Sequence, residues 1–97
     1  MNPNAFLARL AEPTRFALVR RLADGAATVN EMTDGSGHSQ SNVSHHLKQL
    51  RDCGVVVYER EGRSNRYALS HPVIAEFVRA VERASLTLAE CNTGACA

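Results

Sequence analysis

Residues 39–54 read Ser-Gln-Ser-Asn-Val-Ser-His-His-Leu-Lys-Gln-Leu-Arg-Asp-Cys-Gly, and no other stretch of the chain constrains the fold as strongly. Ser39 is a suitable N-cap, and Gly54 stands where a helix end favours glycine. The side chains of this stretch that can be buried recur at helical spacing: Val43, His46, Leu47 and Leu50. The pattern predicts an amphipathic helix over residues 39–53.

The other face of this helix carries hydroxyl and amide side chains and almost no carboxylate. Such a surface suits contacts with phosphates and with the edges of bases. The sequence leaves two interpretations open, a DNA-reading face and an ordinary solvated face. On the first interpretation, the DNA-binding side chains of this helix are Ser39, Gln40, Ser41, Asn42, Ser44, His45 and Lys48.

Three shorter helices are predicted upstream, over residues 4–11, over residues 13–23 and from residue 29 onward. Pro13 suits the first turn of the second helix, because proline lacks only an N–H that has no helical partner there. Thr28 and Glu31 have the spacing of a capping box, which begins the third helix. The third and fourth helices then form a helix–turn–helix.

The chain downstream of Gly54 is typical of a β-hairpin. Residues 55–58 and 66–69 predict two strands because they are β-branched, aromatic or alternating, and residues 59–65 predict a polar loop. Three arginines of this hairpin are candidate contacts to phosphates or the minor groove, although a solvated hairpin tip is the alternative. They are Arg60, Arg63 and Arg66.

A last helix is predicted from Pro72 to about Glu90, with an apolar stripe along most of its length. A stripe this long exceeds what one small domain needs to cover, so we expect it to pair with a second copy of the chain. The alternative is that the helix packs on its own domain. A dimer would carry two DNA-reading helices about one turn of DNA apart and would require an imperfect palindrome.

The order of elements is that of a winged helix–turn–helix, a mainly α fold with a β-hairpin wing that forms a homodimer through its terminal helices. We expect residues 1–90 to form one DNA-binding and dimerisation domain and residues 91–97 to form a flexible, cysteine-containing tail. The formal charge is only +1, which excludes a uniformly basic surface. Five basic against three acidic residues between positions 39 and 69 place the positive excess on the predicted DNA-binding elements.

Other functional classes find little support in the sequence. There is no nucleophile–base motif, glycine-rich phosphate loop or paired carboxylate set, so we do not expect an enzyme. No apolar run approaches the roughly 20 residues that span a bilayer. The beginning of the chain has neither the basic start nor the long apolar run of a secretory signal, and we expect a cytoplasmic protein.

Several motifs, taken in order and spacing, resemble those of the ArsR/SmtB metal-responsive repressors. They are Leu10-Ala-Glu-Pro-Thr-Arg15, the stretch from Ser39 to Leu50, Cys53-Gly-Val-Val, Arg60-Glu-Gly-Arg63 and Tyr67-Ala-Leu69. The resemblance covers residues 5–90. It implies a homodimeric winged-helix repressor that releases DNA when it binds its inducer.

Three cysteines are the candidate metal ligands: Cys53, Cys91 and Cys96. Thiolates suit soft ions, so arsenite or antimonite, or else cadmium or lead, are the expected inducers. The resemblance implies in addition that Cys53 corresponds to a ligand in the DNA-reading helix of cadmium- and lead-sensing members. Two other sites known in the family lack their ligands here, because residues 29–36 contain no cysteine and the last helix has no histidine after His71.

Alternatives to metal binding remain open at this point. Cys53 can be a small buried residue that precedes Gly54. Cys91 and Cys96 can form a redox-sensing or persulfide-sensing pair. A DNA-binding regulator or a protein-interaction module that responds to no metal is the third possibility.

Overall fold

The computed structural model describes the backbone of residues 1–91 and the side chains of residues 1–90. The elements are α1 (Pro3–Ala11), α2 (Pro13–Ala23), β1 (Ala27–Thr28), α3 (Val29–Thr33), α4 (Gln40–Asp52), β2 (Val56–Glu61), β3 (Ser64–Leu69) and α5 (Pro72–Cys91). The winged helix–turn–helix predicted from the sequence is confirmed. Of the predicted tail, residues 92–97, including Cys96, lie outside the described part, as does the side chain of Cys91.

Both helices of the helix–turn–helix, α3 and α4, begin at side-chain caps that the sequence encodes. Ser39 accepts the N–H of Asn42 at 3.0 Å and begins α4. Thr28 accepts the N–H of Glu31 at 3.2 Å, and the Glu31 carboxylate accepts the N–H of Thr28 at 2.8 Å, which completes the predicted capping box. Each cap satisfies a backbone N–H that has no partner inside its own helix.

The hydrophobic core lies between α4, the other helices and the sheet. On α4, Val43, Leu47 and Leu50 are 0% exposed, as the apolar spacing predicted. The remaining buried apolar residues come from the other elements and their connections: Leu10, Leu18, Val19, Leu22, Ala27, Met32, Val55, Val56, Tyr67, Ile74 and Val78. This packing anchors one side of α4 and leaves its other side on the surface.

The wing is longer and more regular than the sequence predicted. Residues 59–65 were expected to form a loop, but pairing continues to Glu61 opposite Ser64, so the turn has only two residues, Gly62 and Arg63. The prediction was wrong because these polar side chains belong to a projecting hairpin and are tolerated in its strands. Gly62 has a φ of +62°, which glycine adopts without steric cost.

A third strand, β1, was not predicted. It has two residues and pairs antiparallel with β3, Ala27 opposite Tyr67, so that the sheet order is β1-β3-β2. A two-residue strand leaves no alternating pattern in the sequence, and it forms because the neighbouring hairpin offers a free edge. It ties the middle of β3 to the start of α3.

Helix α5 changes character along its length. Ile74 and Val78 in its first half are buried, whereas Leu86 and Leu88 in its second half are 66% and 63% exposed. The covered half packs mainly on α2. Among the described residues, no helix is both long enough and apolar enough to span a membrane.

Candidate nucleic-acid interface and thiol residues

The surface side of α4 is polar along its whole length. Ser41, Ser44, His45 and Lys48 are exposed, and Asn42 is half-buried at the margin of the core. Lys48 lies 3.3 Å from Asp52 across one helical turn, an exposed contact that contributes little to stability. These side chains are therefore free to exchange their solvent contacts for contacts to another molecule.

The N-terminal turn of α4 is held in place by amide side chains. Asn42 Nδ2 lies 3.1 Å from His38 Nδ1, and the Gln40 amide donates a hydrogen bond to the side chain of Asn30 in α3. These contacts restrict the rotamers of two of the predicted DNA-binding residues. An ordered set of donors and acceptors loses less conformational entropy when it binds.

The three candidate arginines of the wing have different surroundings. Arg63 is exposed in the two-residue turn, and Arg60 Nε donates to the Gly62 carbonyl at 2.9 Å near the same tip. Arg66 is half-buried in the middle of β3, opposite Glu59, and its guanidinium donates to Glu61, to Glu31 at 3.2 Å and to a backbone carbonyl. Arg60 and Arg63 thus stand at the tip, whereas Arg66 ties the wing to α3.

Arg66, Glu31 and Glu61 form an ionic cluster in which the pKa values of both carboxyl groups are lowered. The hydrogen bond and charge of Arg66 lower the pKa of the Glu61 carboxyl. The pKa of the Glu31 carboxyl is also lowered, first by its hydrogen bond from the Thr28 N–H and to a lesser degree by the charge of Arg66. Both carboxylates therefore stay ionised to a lower pH than an ordinary glutamate does.

A cleft of about 270 Å³ joins α4 to the wing, so that the two form one polar surface. Gln40 and Ser44 line its helix side, and Arg63 lines its wing side. Asn30, Ser64 and Asn65 also line this cleft, and the sequence did not indicate them as site residues. The register of the hairpin, which places Asn65 opposite Arg60, was the information needed to find Ser64 and Asn65.

A second polar cluster lies where α1, α2 and α4 meet. Arg15 in α2 donates through Nη1 to Gln49 Oε1 at 3.0 Å, and the same oxygen lies 3.1 Å from His46 Nδ1. His46 was expected on the buried side of α4 in a packed or hydrogen-bonded role, and its side chain is 14% exposed and lies 3.7 Å from Glu12 Oε2.

Cys53 follows α4 as its C-cap and is half-buried against the core. Its Sγ lies 3.4 Å from the Leu50 carbonyl. Cys91 is the last residue of α5. Among the side chains that the structure describes, no group of three or more His, Cys, Asp or Glu residues is arranged to hold a metal ion. The three-cysteine set predicted from the sequence extends beyond that part of the chain.

Comparison with known proteins identifies the family. The model of the bacterial regulatory protein, arsR family, matches residues 12–58, from the cap of α2 into the wing. The crystal structure of the transcriptional repressor BigR from Xylella fastidiosa is 32% identical and superposes with a TM-score of 0.72 over 77% of this chain and 76% of that protein. The chain belongs to the ArsR family. Its members are regulators of transcription rather than enzymes, in agreement with the prediction from the sequence.

Two curated relatives of this ArsR-family chain are similar over most of its length. The regulator CmtR of Mycobacterium tuberculosis is 44% identical over 66 residues, which are 68% of this chain and 56% of the relative. A protein of Streptomyces lividans described as a probable mercury resistance operon repressor is 40% identical over 73 residues, 75% of this chain and 58% of the relative. The chain thus spans less than three-fifths of the length of either protein.

A more distant structure confirms the architecture. The solution structure of a homodimeric winged helix–turn–helix domain of Mb0332 from Mycobacterium bovis superposes with a TM-score of 0.79. It is 23% identical and covers 89% of this chain and 80% of that domain. At this identity the likeness concerns the fold alone.

Proposed function

We propose that this ArsR-family protein is a transcriptional repressor that reads double-stranded DNA with α4. The observation that carries the proposal is the division of α4 into a fully buried apolar side and an exposed side of hydroxyl, amide, imidazole and ammonium groups. A helix anchored in this way can enter the major groove as a rigid unit. Its expected DNA contacts are Ser39, Gln40, Ser41, Asn42, Ser44, His45 and Lys48.

The wing supplies the second contact in this proposal. Arg60 and Arg63 stand at its tip, next to the cleft that continues the surface of α4. Arginine side chains at such a position neutralise phosphates or enter the adjacent minor groove. Arg66 contributes indirectly, because its contacts with Glu31 and Glu61 fix the angle between the wing and α3.

The protein acts as a homodimer in this proposal. An open apolar groove of about 680 Å³ runs between α1, α2 and the second half of α5, and Leu86 is among the residues that line it. Leu7 on α1 and Leu88 on α5 add exposed apolar surface to the same helices. Burial of these side chains against a second copy is favourable by roughly 25 cal/mol per Å². The resulting twofold symmetry requires an imperfect palindromic operator.

The inducer in this proposal is a thiophilic metal or metalloid ion bound by Cys53, Cys91 and Cys96, either arsenite or antimonite, or else cadmium or lead. The similarity to a protein described as a mercury resistance operon repressor supports a soft ion in general. Cys53 directly follows α4, so a ligand bond at its sulfur would act on the end of the DNA-reading helix. A coupling of about 1–3 kcal/mol would lower operator affinity by roughly 5- to 150-fold.

The DNA-binding part of the proposal is tested by selection from a pool of random duplexes, followed by affinity measurement on the selected operator and on a scrambled duplex. We expect the operator to bind about a thousandfold more tightly or better. Asn42→Ala should lower this ratio because one base-reading side chain is lost. Asn4→Ala, a matched change in α1, should leave it unchanged. Equal affinity of the wild-type protein for both duplexes would refute the proposal.

The inducer is tested on the protein–operator complex with arsenite, cadmium, lead and zinc as probes, together with absorption in the thiolate-to-metal region. We expect release by a soft ion, and we expect the variant with Cys91→Ser and Cys96→Ser to remain bound. Release of that variant by the same ion concentration would exclude the tail thiolates. Release by an oxidant or persulfide donor alone would assign the thiols to redox sensing instead.

A further inference from the structure

One guanidinium connects three helices at the base of the proposed DNA-reading unit. Arg15 Nε donates to the Arg9 carbonyl in the last turn of α1 at 2.7 Å. Its Nη1 donates to Gln49 Oε1 on α4 at 3.0 Å. The planar fork of arginine fixes the directions of both hydrogen bonds at once. The side chain of Arg15 therefore links α4 to the end of α1.

Gln49 and Glu12 hold this arrangement from two sides. Gln49 Oε1 also lies 3.1 Å from His46 Nδ1. This contact is a hydrogen bond to the amide oxygen in the tautomer of His46 that has its proton on Nδ1. Glu12 Oε2 accepts the backbone N–H of Arg15 at 2.8 Å and lies 3.7 Å from the same His46 nitrogen. The carboxylate thus joins the beginning of α2 to α4, and the Arg15 N–H is the main cause of the lowered pKa of Glu12.

These contacts lie in the C-terminal half of α4, on the partly buried side of the helix rather than on its exposed side. Gln49 is seven residues after Asn42, which corresponds to about 10 Å along a helix. The cluster also lies at the start of α2, beside the groove that the proposed dimer buries, since that groove is lined by Pro13 and Phe16. The contact between Arg15 and Gln49 therefore connects α4 to the part of α2 that lies beside the proposed dimer interface.

We propose that Arg15 is a positioning residue for DNA recognition. It acts through Gln49, fixing the angle of α4 against α1 and α2, and it makes no contact with DNA. The inference rests on the proposed function of α4 and adds the residue that aligns it. In a dimer, loss of this alignment changes the separation of the two DNA-reading helices. Affinity for a palindromic operator then falls even though every DNA-contacting side chain is retained.

The inference is tested by a double-mutant cycle with Arg15→Met, Gln49→Met and both changes together, on the operator selected by the wild-type protein. Each single change should weaken operator binding by about tenfold, and the double variant should bind no more weakly than the weaker single variant. The slope of log K against log salt concentration should stay the same in all four proteins, because no phosphate contact is lost. If the loss of affinity in the double variant equals the product of the losses in the two single variants, the two residues act independently and the inference is overturned.

Two conservative variants separate positioning from charge. Gln49→Glu retains the acceptor and should bind the operator within about twofold of the wild type. Arg15→Lys keeps the charge without the fork, so it should recover little of the affinity. Full recovery with Arg15→Lys, or a salt slope that falls by about one in Arg15→Met, would show instead that Arg15 neutralises a phosphate. Thermal unfolding of each variant verifies that the fold is intact.

Arg21→Met is the matched control. Arg21 lies exposed on the same helix, and its Nη1 donates to the Gly25 carbonyl at 3.2 Å, just after the end of α2. We expect its operator affinity to be unchanged, and a loss equal to that of Arg15→Met would overturn the inference. If the wild-type protein enriches no operator from the pool, the proposed function itself fails, an outcome distinct from a failed cycle.

Discussion

Single residues of α4 have separable roles in stability and in binding. Leu47 is fully buried, whereas its near neighbour His45 is exposed on the same helix. Leu47→Ala leaves a cavity in the core and should lower the free energy of unfolding by about 2–5 kcal/mol. His45→Ala should change it by no more than about 0.5 kcal/mol and should weaken operator binding. Urea denaturation measures the free energy of unfolding, and operator titration measures binding. A larger loss of unfolding free energy in His45→Ala than in Leu47→Ala would contradict the placement of α4.

Three carboxyl groups are expected to make the protein less stable in acid. The pKa values of Glu12, Glu31 and Glu61 lie below the ordinary value of 4.5, mainly because of hydrogen bonds from the Arg15 N–H, the Thr28 N–H and the Arg66 side chain, respectively. Since the folded state holds these groups ionised, their contribution is complete above pH 4.5 and is lost as the pH falls through the lowered values.

The measurement is the free energy of unfolding in urea between pH 7 and pH 2.5. It should fall below pH 4.5, and Glu31→Gln should make that fall shallower because one of the three linked groups is gone. A free energy of unfolding that rises towards pH 3 would show that these carboxylates are not stabilised in the folded state.

At this scale the sequence predicted caps and burial well, and contacts between distant segments poorly. The capping box of Thr28 and Glu31 is local, so spacing alone revealed it. Arg66 was predicted to contact DNA because it stands in a basic hairpin, yet its partner Glu31 is 35 residues away in sequence. Whether Arg66 also reaches DNA remains a prediction, and its ionic contacts indicate a role in holding the wing.

For the wing as an element, the structure predicts that its arginines differ in their dependence on salt. Arg63→Ala should reduce the slope of log K against log salt concentration by about one, because an exposed phosphate contact is lost. Arg66→Ala should leave the slope unchanged and should increase hydrogen exchange in β2 and β3, since its contacts with α3 and Glu61 are lost. A reduced salt slope in Arg66→Ala, together with an unchanged slope in Arg63→Ala, would show instead that Arg66 contacts a phosphate and Arg63 does not.

The helices were predictable because their apolar spacing and caps are strong local signals. The length of the hairpin was not, since Glu59, Arg60 and Glu61 look like a loop by composition and form a strand only because β3 pairs with them. The cleft between α4 and the wing depends on that register as well. The polar side of α4 could be listed from the sequence, but its continuity with the wing could not.

At the scale of the whole molecule, α5 is expected to hold two copies together. Leu86→Glu would place a charge in the proposed interface and should convert the protein to a monomer at micromolar concentration, with a large loss of operator affinity. Val57→Glu, at an apolar side chain that is also exposed but lies on the wing, should leave the oligomeric state unchanged. Sedimentation equilibrium measures both, and a dimeric Leu86→Glu variant would contradict this use of α5.

The architecture as a whole followed from the order of elements, and the ArsR family from the motifs placed on them. The dimer and the inducer were harder to predict from the sequence. The dimer depends on contacts between two copies, and the inducer depends on ligands that the described part of one chain does not bring together. Cys53 is in place at the end of α4. In the proposed function, the identity of the ion depends on Cys91 and Cys96, whose side chains lie outside the described part of the chain.

The most direct test of the central claim, that two copies of α4 read the major groove, is methylation interference on the selected operator. Methylation of guanine N7 blocks an acceptor in the major groove. We predict two clusters of interfering guanines, related by the palindrome and separated by about 10–10.5 base pairs or a multiple of that spacing. Binding that is indifferent to N7 methylation, or a single cluster without a symmetric partner, would contradict the account.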